Sequence, residues 1–290
     1  MTDTSLPGGT FALAPDLVVT RFGYGAMQLA GPGVMGPPAD HAEALRVLRE
    51  AVSLGITHID TSDAYGPHVT NALIREALHP YARSLHVITK VGALRDAEGG
   101  WPPARSPAQL RASVHSNLTG LGLDVLDMVN LRAGGPMGPV AGSVEEAFTT
   151  LVELQGEGLI RHLGVSNMLP DQVAEARSIA PIVSVQNFYN LANRYDDELI
   201  DALAADGVAY VPFFPLGGFS PLQSDVLSAV ATRLEATPAA VALAWLLRRS
   251  PNILLIAGTS SVAHLRENVA GAGLVLSDTD FAELSAIAGA

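Results

Sequence analysis

The chain contains no cysteine, so disulfides, thiolate nucleophiles and Cys-ligated zinc or iron–sulfur centres are excluded. It is also poor in charge and short of positive charge in particular. Charged residues make up 16%, and 17 Lys and Arg against 29 Asp and Glu leave a formal net charge of −12. That balance argues against nucleic acid or an anionic membrane as a partner. It leaves room for an anionic cofactor, because a phosphate site needs only a few local donors. No uninterrupted apolar run approaches the roughly 20 residues of a membrane span. No basic segment followed by an apolar run opens the chain as a secretory signal would. The expectation is a soluble cytoplasmic protein, a monomer or weak homo-oligomer, acting on a small molecule.

What is present is apolar. Hydrophobic residues reach 48% of 290, ample for one deep core. Residues 1–290 read as a single domain, with the polar, breaker-rich residues 1–9 expected to be flexible. β-Rich runs alternate with amphipathic runs almost throughout. A small hairpin is expected over Thr10–Val19, turning at Ala14-Pro15-Asp16. Strands follow at Phe22–Gly25, Thr57–Asp60, His86–Lys90, Leu126–Arg132, Ile160–Ser166, Val183–Gln186, Val208–Phe213 and Ile253–Ala257. Helical spacing appears between them, as in Asp40–Leu54, Leu110/Val114/Leu118/Leu121 and Val262/Leu265/Val269. Eight strand–helix units without a linker favour a closed α/β TIM barrel, (β/α)8, with helices near Pro238–Arg249 and Ser277–Ala288 as additions. The competitor is an open doubly wound sheet, and Gly31-Pro32-Gly33-Val34-Met35-Gly36 formally fits its dinucleotide fingerprint. Pro37 and Pro38 follow, however, and no helix opens inside the motif, so it reads as a flexible loop after the first barrel strand.

Three residues carry the chemistry. Asp60 ends GITHIDTSDAYG's strand, Tyr65 lies in the loop after it, and Lys90 ends the strand in HVITKVG. In a barrel such positions open onto one rim. A phenol beside an ammonium, itself held by a carboxylate, can protonate a carbonyl oxygen while a hydride arrives at the carbon. Taken singly, the three also read as a helix-capping Asp, a surface Tyr and a solvated Lys; their placement at neighbouring strand ends favours function.

With these strings, RFGYGAMQLAG, LGLDVLDMVNLR, LIRHLGVSN, SVQNFYN and HLRENV, the chain resembles the aldo-keto reductases, nicotinamide-dependent barrel enzymes that reduce aldehydes and ketones. The match runs over about Arg21–Val269 in family order. The resemblance implies a barrel floor plugged by the N-terminal hairpin and two extra helices. It implies NADPH as cofactor, with NADH also admitted, and Tyr65 as general acid in reduction. Lys90 would place a positive charge beside the phenolate, and Asp60 would hold Lys90. It places Gly25, Ala26, Met27 and Asp60 beside the cofactor, and Ser166, Asn167 and Gln186 on the nicotinamide carboxamide. Phe213 or Phe214 would stack on the nicotinamide, and Leu216 and Gly217, in Pro215-Leu216-Gly217-Gly218, would pass over the pyrophosphate. Gly258, Thr259, Ser260, His264, Glu267 and Asn268 would form the adenosine end. A Ser-capped helix or a core aromatic remains the plain reading of several of these taken alone.

Two departures stand out. Arg132 occupies the place of the family's fourth catalytic residue, a His, as in members resembling pyridoxal reductases. By strand alternation Asn130 shares its inward face. An Arg donates hydrogen bonds and keeps its charge but does not exchange a proton near neutrality. It would polarise the carbonyl or bind an acidic or phenolic substituent. Gly258 and His264 stand where a Lys and an Arg often hold the 2′-phosphate, leaving Thr259, Ser260, Arg266 and amides as donors. Gln28, Trp101 and Phe219 are the candidates for the substrate pocket, Trp101 as a lid or as a pin for its own loop. An NADPH-binding sensor with little turnover is the alternative function. A metal or Schiff-base lyase on the same barrel is disfavoured, since Asp60 keeps Lys90 charged.

Overall fold

The computed structural model describes residues 6–135, 138–217 and 224–287; the expected flexibility of residues 1–5 lies outside it. Gly9 N–H donates to Leu6 at 3.0 Å, closing a turn ahead of the first strand. β1 (Thr10–Ala14) and β2 (Leu17–Thr20) form the antiparallel hairpin, turning at Pro15-Asp16 as expected. Eight parallel strands follow: β3 (Phe22–Gly25), β4 (His58–Asp60), β5 (His86–Val91), β6 (Leu126–Arg132), β7 (Ile160–Ser166), β8 (Ser184–Gln186), β9 (Ala209–Tyr210) and β10 (Leu255–Ile256). Neighbours in the chain are neighbours in the sheet, and β10 pairs with β3. The ring closes where Tyr210 N–H donates to Asn252 and its carbonyl accepts from Leu254 N–H, both at 2.9 Å. The sheet is therefore a barrel, not an open doubly wound array.

The helices are α1 (His41–Ser53), α2 (Val69–Leu78), α3 (Pro107–Leu121), α4 (Glu145–Gly156), α5 (Pro170–Ile179), α6 (Asp197–Ala205), α7 (Asp225–Arg233), α8 (Pro238–Arg249), α9 (Val262–Ala272) and α10 (Asp278–Ser285). Their starts follow local chemistry. Asp40 accepts from the Glu43 amide ahead of α1, and Ser106 and Gln109 form a capping box before Pro107. Gly122, at φ +68, ends α3 in the left-handed region that glycine adopts cheaply. One assignment shifts. Pro238–Arg249 is not an addition: α8 packs against β10 and α9 and holds a regular place in the outer layer. Every residue from Ala240 to Leu247 is buried, because α7 covers its other side. The additions are α7 and α10. The Ala-rich α8 lacks the polar stripe of an ordinary barrel helix for that reason.

The hairpin plugs the floor. Leu13, Leu17 and Val19 pack inside the barrel against Ile88, Met128, Val211, Leu254 and Ile256. The interior is thus apolar below and polar towards the C-terminal ends of the strands. His58 is the exception. It fills the space over Gly23, where a Cβ would stand 2.0 Å from the imidazole Nε2. Burial pushes this imidazole down to about 4. Above its ordinary value near 6.5 it is neutral whether folded or unfolded, and pH has no effect through it. Below that, the unfolded chain takes up a proton that the folded imidazole refuses. Stability therefore falls by about 1.4 kcal/mol per pH unit down to about pH 4, roughly 3 kcal/mol in total. Urea unfolding of wild type and His58→Met at pH 7 and pH 4.5 checks this: the wild type should lose about 2 to 3 kcal/mol more than the variant over that interval.

Candidate active site

Strand ends set the polar residues. Asp60 is the last residue of β4 and Lys90 the penultimate residue of β5, and parallel register puts Lys90 beside Asn130, Arg132 beside Ser166 and Ser166 beside Gln186. Lys90 Nζ donates to Asp60 Oδ1, and Gln186 Nε2 donates to Asp60 Oδ2 at 2.9 Å. Both carboxylate oxygens are thereby satisfied in a buried place. Tyr65 stands in the turn after β4, its amide donating to Ser62 at 3.1 Å, with Gly66 at φ +85 making the reversal. The Lys90 ammonium lies 5.2 Å from the centre of the Tyr65 ring. Burial draws the Lys90 ammonium down, but Asp60 and Tyr65 outweigh it, and the net displacement is upward. Lys90 is a permanent cation between a carboxylate and a phenol, not a neutral amine for Schiff-base chemistry.

These groups open onto a cavity of about 650 Å³. Of the residues expected there, Gly25, Met27, Gln28, Asp60, Tyr65 and Lys90 line it. So do Trp101, Arg132, Ser166, Gln186, Phe213, Phe214, Leu216 and Gly258. Gly25 and Gly258 let two strand ends touch: a Cβ on Gly25 would lie 2.6 Å from the Ile256 carbonyl, and one on Gly258 2.6 Å from the Gly25 carbonyl. Phe213 lies 5.9 Å from Phe188, nearly parallel to it.

Other expected residues stand elsewhere. Ala26 is buried behind the wall. Asn167, at φ +57, does not line the cavity; its Nδ2 donates to the Gly135 carbonyl at 2.8 Å, holding the loop after β6, and its Oδ1 is buried without a partner among the described residues. Asn130 lies deeper in the barrel and accepts from Ser184 Oγ at 3.2 Å. Gly217 does not reach the cavity wall, and Gly218 and Phe219 lie outside the described residues. Thr259, Ser260, His264, Glu267 and Asn268 are set outside the wall, on β10's loop and α9. There the expected donors are partly engaged. Ser261 Oγ accepts from the His264 amide, Glu43 Oε1 accepts from Val262 N–H at 2.9 Å, and Arg266 pairs with Glu50 at 2.7 Å. The Val262 amide, then Arg46, hold the Glu43 carboxyl below its usual range.

Trp101 is a wall rather than a free lid. Its ring meets Tyr65 edge-on at 6.2 Å, and the Arg95 guanidinium lies 4.1 Å from its centre. Arg95 also donates to Gly99 and Gly33, tying the loop after β5 to the loop after β3. The Gly31–Gly36 segment is likewise tied: Gly31 N–H donates to Gly36 and Gly36 N–H to Gly66. The long helix begins only at His41, so this segment makes no helix N-terminal phosphate site.

Arg132 is half-buried at the same end. One Nη donates to the Gly135 carbonyl at 3.1 Å, Nε is buried without a hydrogen-bond partner, and no carboxylate pairs with it among the described residues. Burial draws its guanidinium down from its ordinary value, with the Tyr65 oxygen acting the other way.

Sequence reasoning missed several participants. Leu227, Pro238, Ala239 and Ala242 extend the cavity from α7 and α8; their only signal was a small-residue step at Ala239 and Ala242. Arg95, Glu43 and the bond from Gln186 to Asp60 had no local signal at all.

The Aldo/keto reductase family model matches residues 21–288. The chain is 62% identical over 284 residues to pyridoxine 4-dehydrogenase of Escherichia coli (strain K12), covering 97% of this chain and 99% of that protein. It is 38% identical over 270 residues to an uncharacterized oxidoreductase of Schizosaccharomyces pombe (strain 972), covering 93% and 87%. Among solved structures, the thermostable aldo-keto reductase Tm1743 in complex with the inhibitor epalrestat superposes with a TM-score of 0.79 at 30% identity, over 93% of this chain and 96% of that one.

Proposed function

This chain belongs to the aldo/keto reductase family and is an NAD(P)H-dependent oxidoreductase, and we propose that it interconverts an aromatic aldehyde of the pyridoxal type and its alcohol. The observation that carries the reading is the convergence of Asp60, Lys90 and Tyr65 on a cavity that Ser166, Gln186 and Phe213 also line. The name of the relative that is 62% identical, pyridoxine 4-dehydrogenase, supplies the substrate type.

A nicotinamide cofactor, NADPH in this reading, supplies or accepts the hydride when bound. The residues present suit it. Ser166 and the Gln186 amide reach the cavity beside the reacting end, Phe213 offers an aromatic face, and Gly25 and Gly258 leave the backbone bare. In reduction Tyr65 would give its hydroxyl proton to the carbonyl oxygen as the carbon takes the hydride, so that C=O becomes CH–OH. Lys90 stabilises the phenolate so formed, and Asp60 with Gln186 keeps Lys90 in place. The whole barrel serves as one catalytic unit in the cytoplasm.

Mixing the protein with NADPH and pyridoxal, p-nitrobenzaldehyde or a quinone, and following reduced-nicotinamide absorbance, tests the reading. Turnover of pyridoxal is expected. Cofactor binding without turnover on any of the three would instead make the protein a cofactor-binding sensor.

A second test concerns the adenosine end. Glu43 places a carboxylate on the first amide of α9, where the 2′-phosphate of NADPH would look for donors. Glu43→Gln should lower KM for NADPH by about 3-fold, a like-charge contact at a partly exposed site being worth roughly 0.3–1 kcal/mol. KM for NADH should stay within about 2-fold. An equal change for both cofactors would remove Glu43 from phosphate recognition.

A further inference from the structure

We propose that Arg132 is the receptor for an ionised oxygen on the substrate ring, carried by the carbon next to the one bearing the reacting carbonyl, so that the aldehyde binds as its phenolate. The inference rests on the carbonyl-reduction reading above and names the substrate feature that this site selects.

The charges around the cavity do not balance. Lys90 is neutralised by Asp60. Arg132 has no such partner among the described residues: one donor goes to a backbone carbonyl, and Nε is buried with none. A guanidinium cannot shed its proton to escape this, as a Lys or a His would. A desolvated cation without a counter-charge is costly, and the cost is removed when a ligand brings an anion.

The position of Arg132 narrows which anion. Its guanidinium carbon lies 5.4 Å from the centre of the Trp101 ring, and the same indole meets Tyr65 edge-on. Arg132 therefore borders the reacting end of the cavity, away from Leu216 and Gly258. A cofactor phosphate is not the expected partner there. The carbonyl oxygen itself is served by Tyr65 and carries only a partial charge. A second oxygen, fully ionised and adjacent on the same ring, fits between the phenol and the guanidinium. In a pyridoxal-type aldehyde that is the 3-oxygen.

Chemistry gives the arrangement a second consequence. An ionised oxygen ortho to a carbonyl pushes electron density into it and makes the carbon a poorer hydride acceptor. Pairing that oxygen with Arg132 withdraws the density again. Arg132 should therefore act on kcat as well as on KM, without transferring a proton.

The test pairs two substrates with two proteins. 5-Deoxypyridoxal cannot close to a hemiacetal and carries the ionisable 3-oxygen; its 3-O-methyl ether does not ionise there. NADPH oxidation is followed with each, in wild type and in Arg132→Met, with Arg132→Lys retaining charge without the planar fork. Wild type should prefer the phenolate by about 30- to 100-fold in kcat/KM, the scale of a charge-assisted hydrogen bond in a poorly solvated site. Arg132→Met should bring the ratio to within about 3-fold of unity, and Arg132→Lys should fall between. Arg132→Gln carries the same comparison if the Met variant does not fold. A merely structural Arg132 would slow both substrates alike and leave the ratio untouched, and that result overturns the proposal while the reductase reading stands. Wild-type failure to oxidise NADPH with either aldehyde would overturn both.

Discussion

Replacing Tyr65 with Phe should leave cofactor binding unchanged and lower kcat/KM for carbonyl reduction by about 10³-fold, within the roughly 10²- to 10⁴-fold range of general acid catalysis. The substitution removes one oxygen and keeps the ring. The edge contact with Trp101 and the buried setting persist, so the loss reports on the proton and not on packing. No neighbour can take over. Lys90 is bound to Asp60, and Arg132 holds its protons at any ordinary pH. Titrating NADPH fluorescence confirms that the site is intact, and single-turnover absorbance measures the chemical step. Turnover within about 10-fold of wild type would remove Tyr65 as the acid.

The second large effect is on the pair beneath it. Lys90→Met should destabilise the fold by about 3 to 5 kcal/mol, the scale for leaving a buried charge without its partner. Asp60 is almost fully buried and would keep, among the described residues, only the Gln186 amide as a donor. Activity should fall together with stability, because the phenolate left after proton transfer loses the ammonium beside it. The double variant Lys90→Met/Asp60→Asn separates the two roles. Neutralising both members of a buried pair is far milder than breaking it, so urea midpoints should recover most of the loss while kcat does not. Recovery of both would mean that the pair is structural only. Recovery of neither would mean that Met in this place disturbs packing.

Much of this architecture was legible in the residues. Alternation of apolar and polar positions locates the hairpin and the eight barrel strands to within a few residues, and helical spacing locates α1, α3, α8, α9 and α10, whereas α2, α4, α5, α6 and α7 are not placed by it. The same alternation placed Asp60, Lys90, Arg132, Ser166 and Gln186 at strand ends, which in a barrel share a rim. α8 was misjudged because burial on every side erases the amphipathic stripe by which a helix's neighbours are read. Asn167 followed from a motif, but its left-handed backbone aims its amide at Gly135, and side-chain direction is not written in spacing.

The sequence by itself determined a cysteine-free barrel preceded by a hairpin, with a carboxylate, an ammonium and a phenol gathered at its mouth. These depend on periodicity and strand-end position, which are local properties of the chain. Only the tertiary structure decided which groups answer to which. Gln186 bonds to Asp60 across 126 positions, Arg95 locks Trp101 and two loops into a wall, Glu43 reaches α9 from α1, and Arg132 is left without a counter-charge among the described residues. Such pairings come from ring closure and strand stagger, which bring distant residues together in three dimensions and leave no trace in the spacing of any one segment.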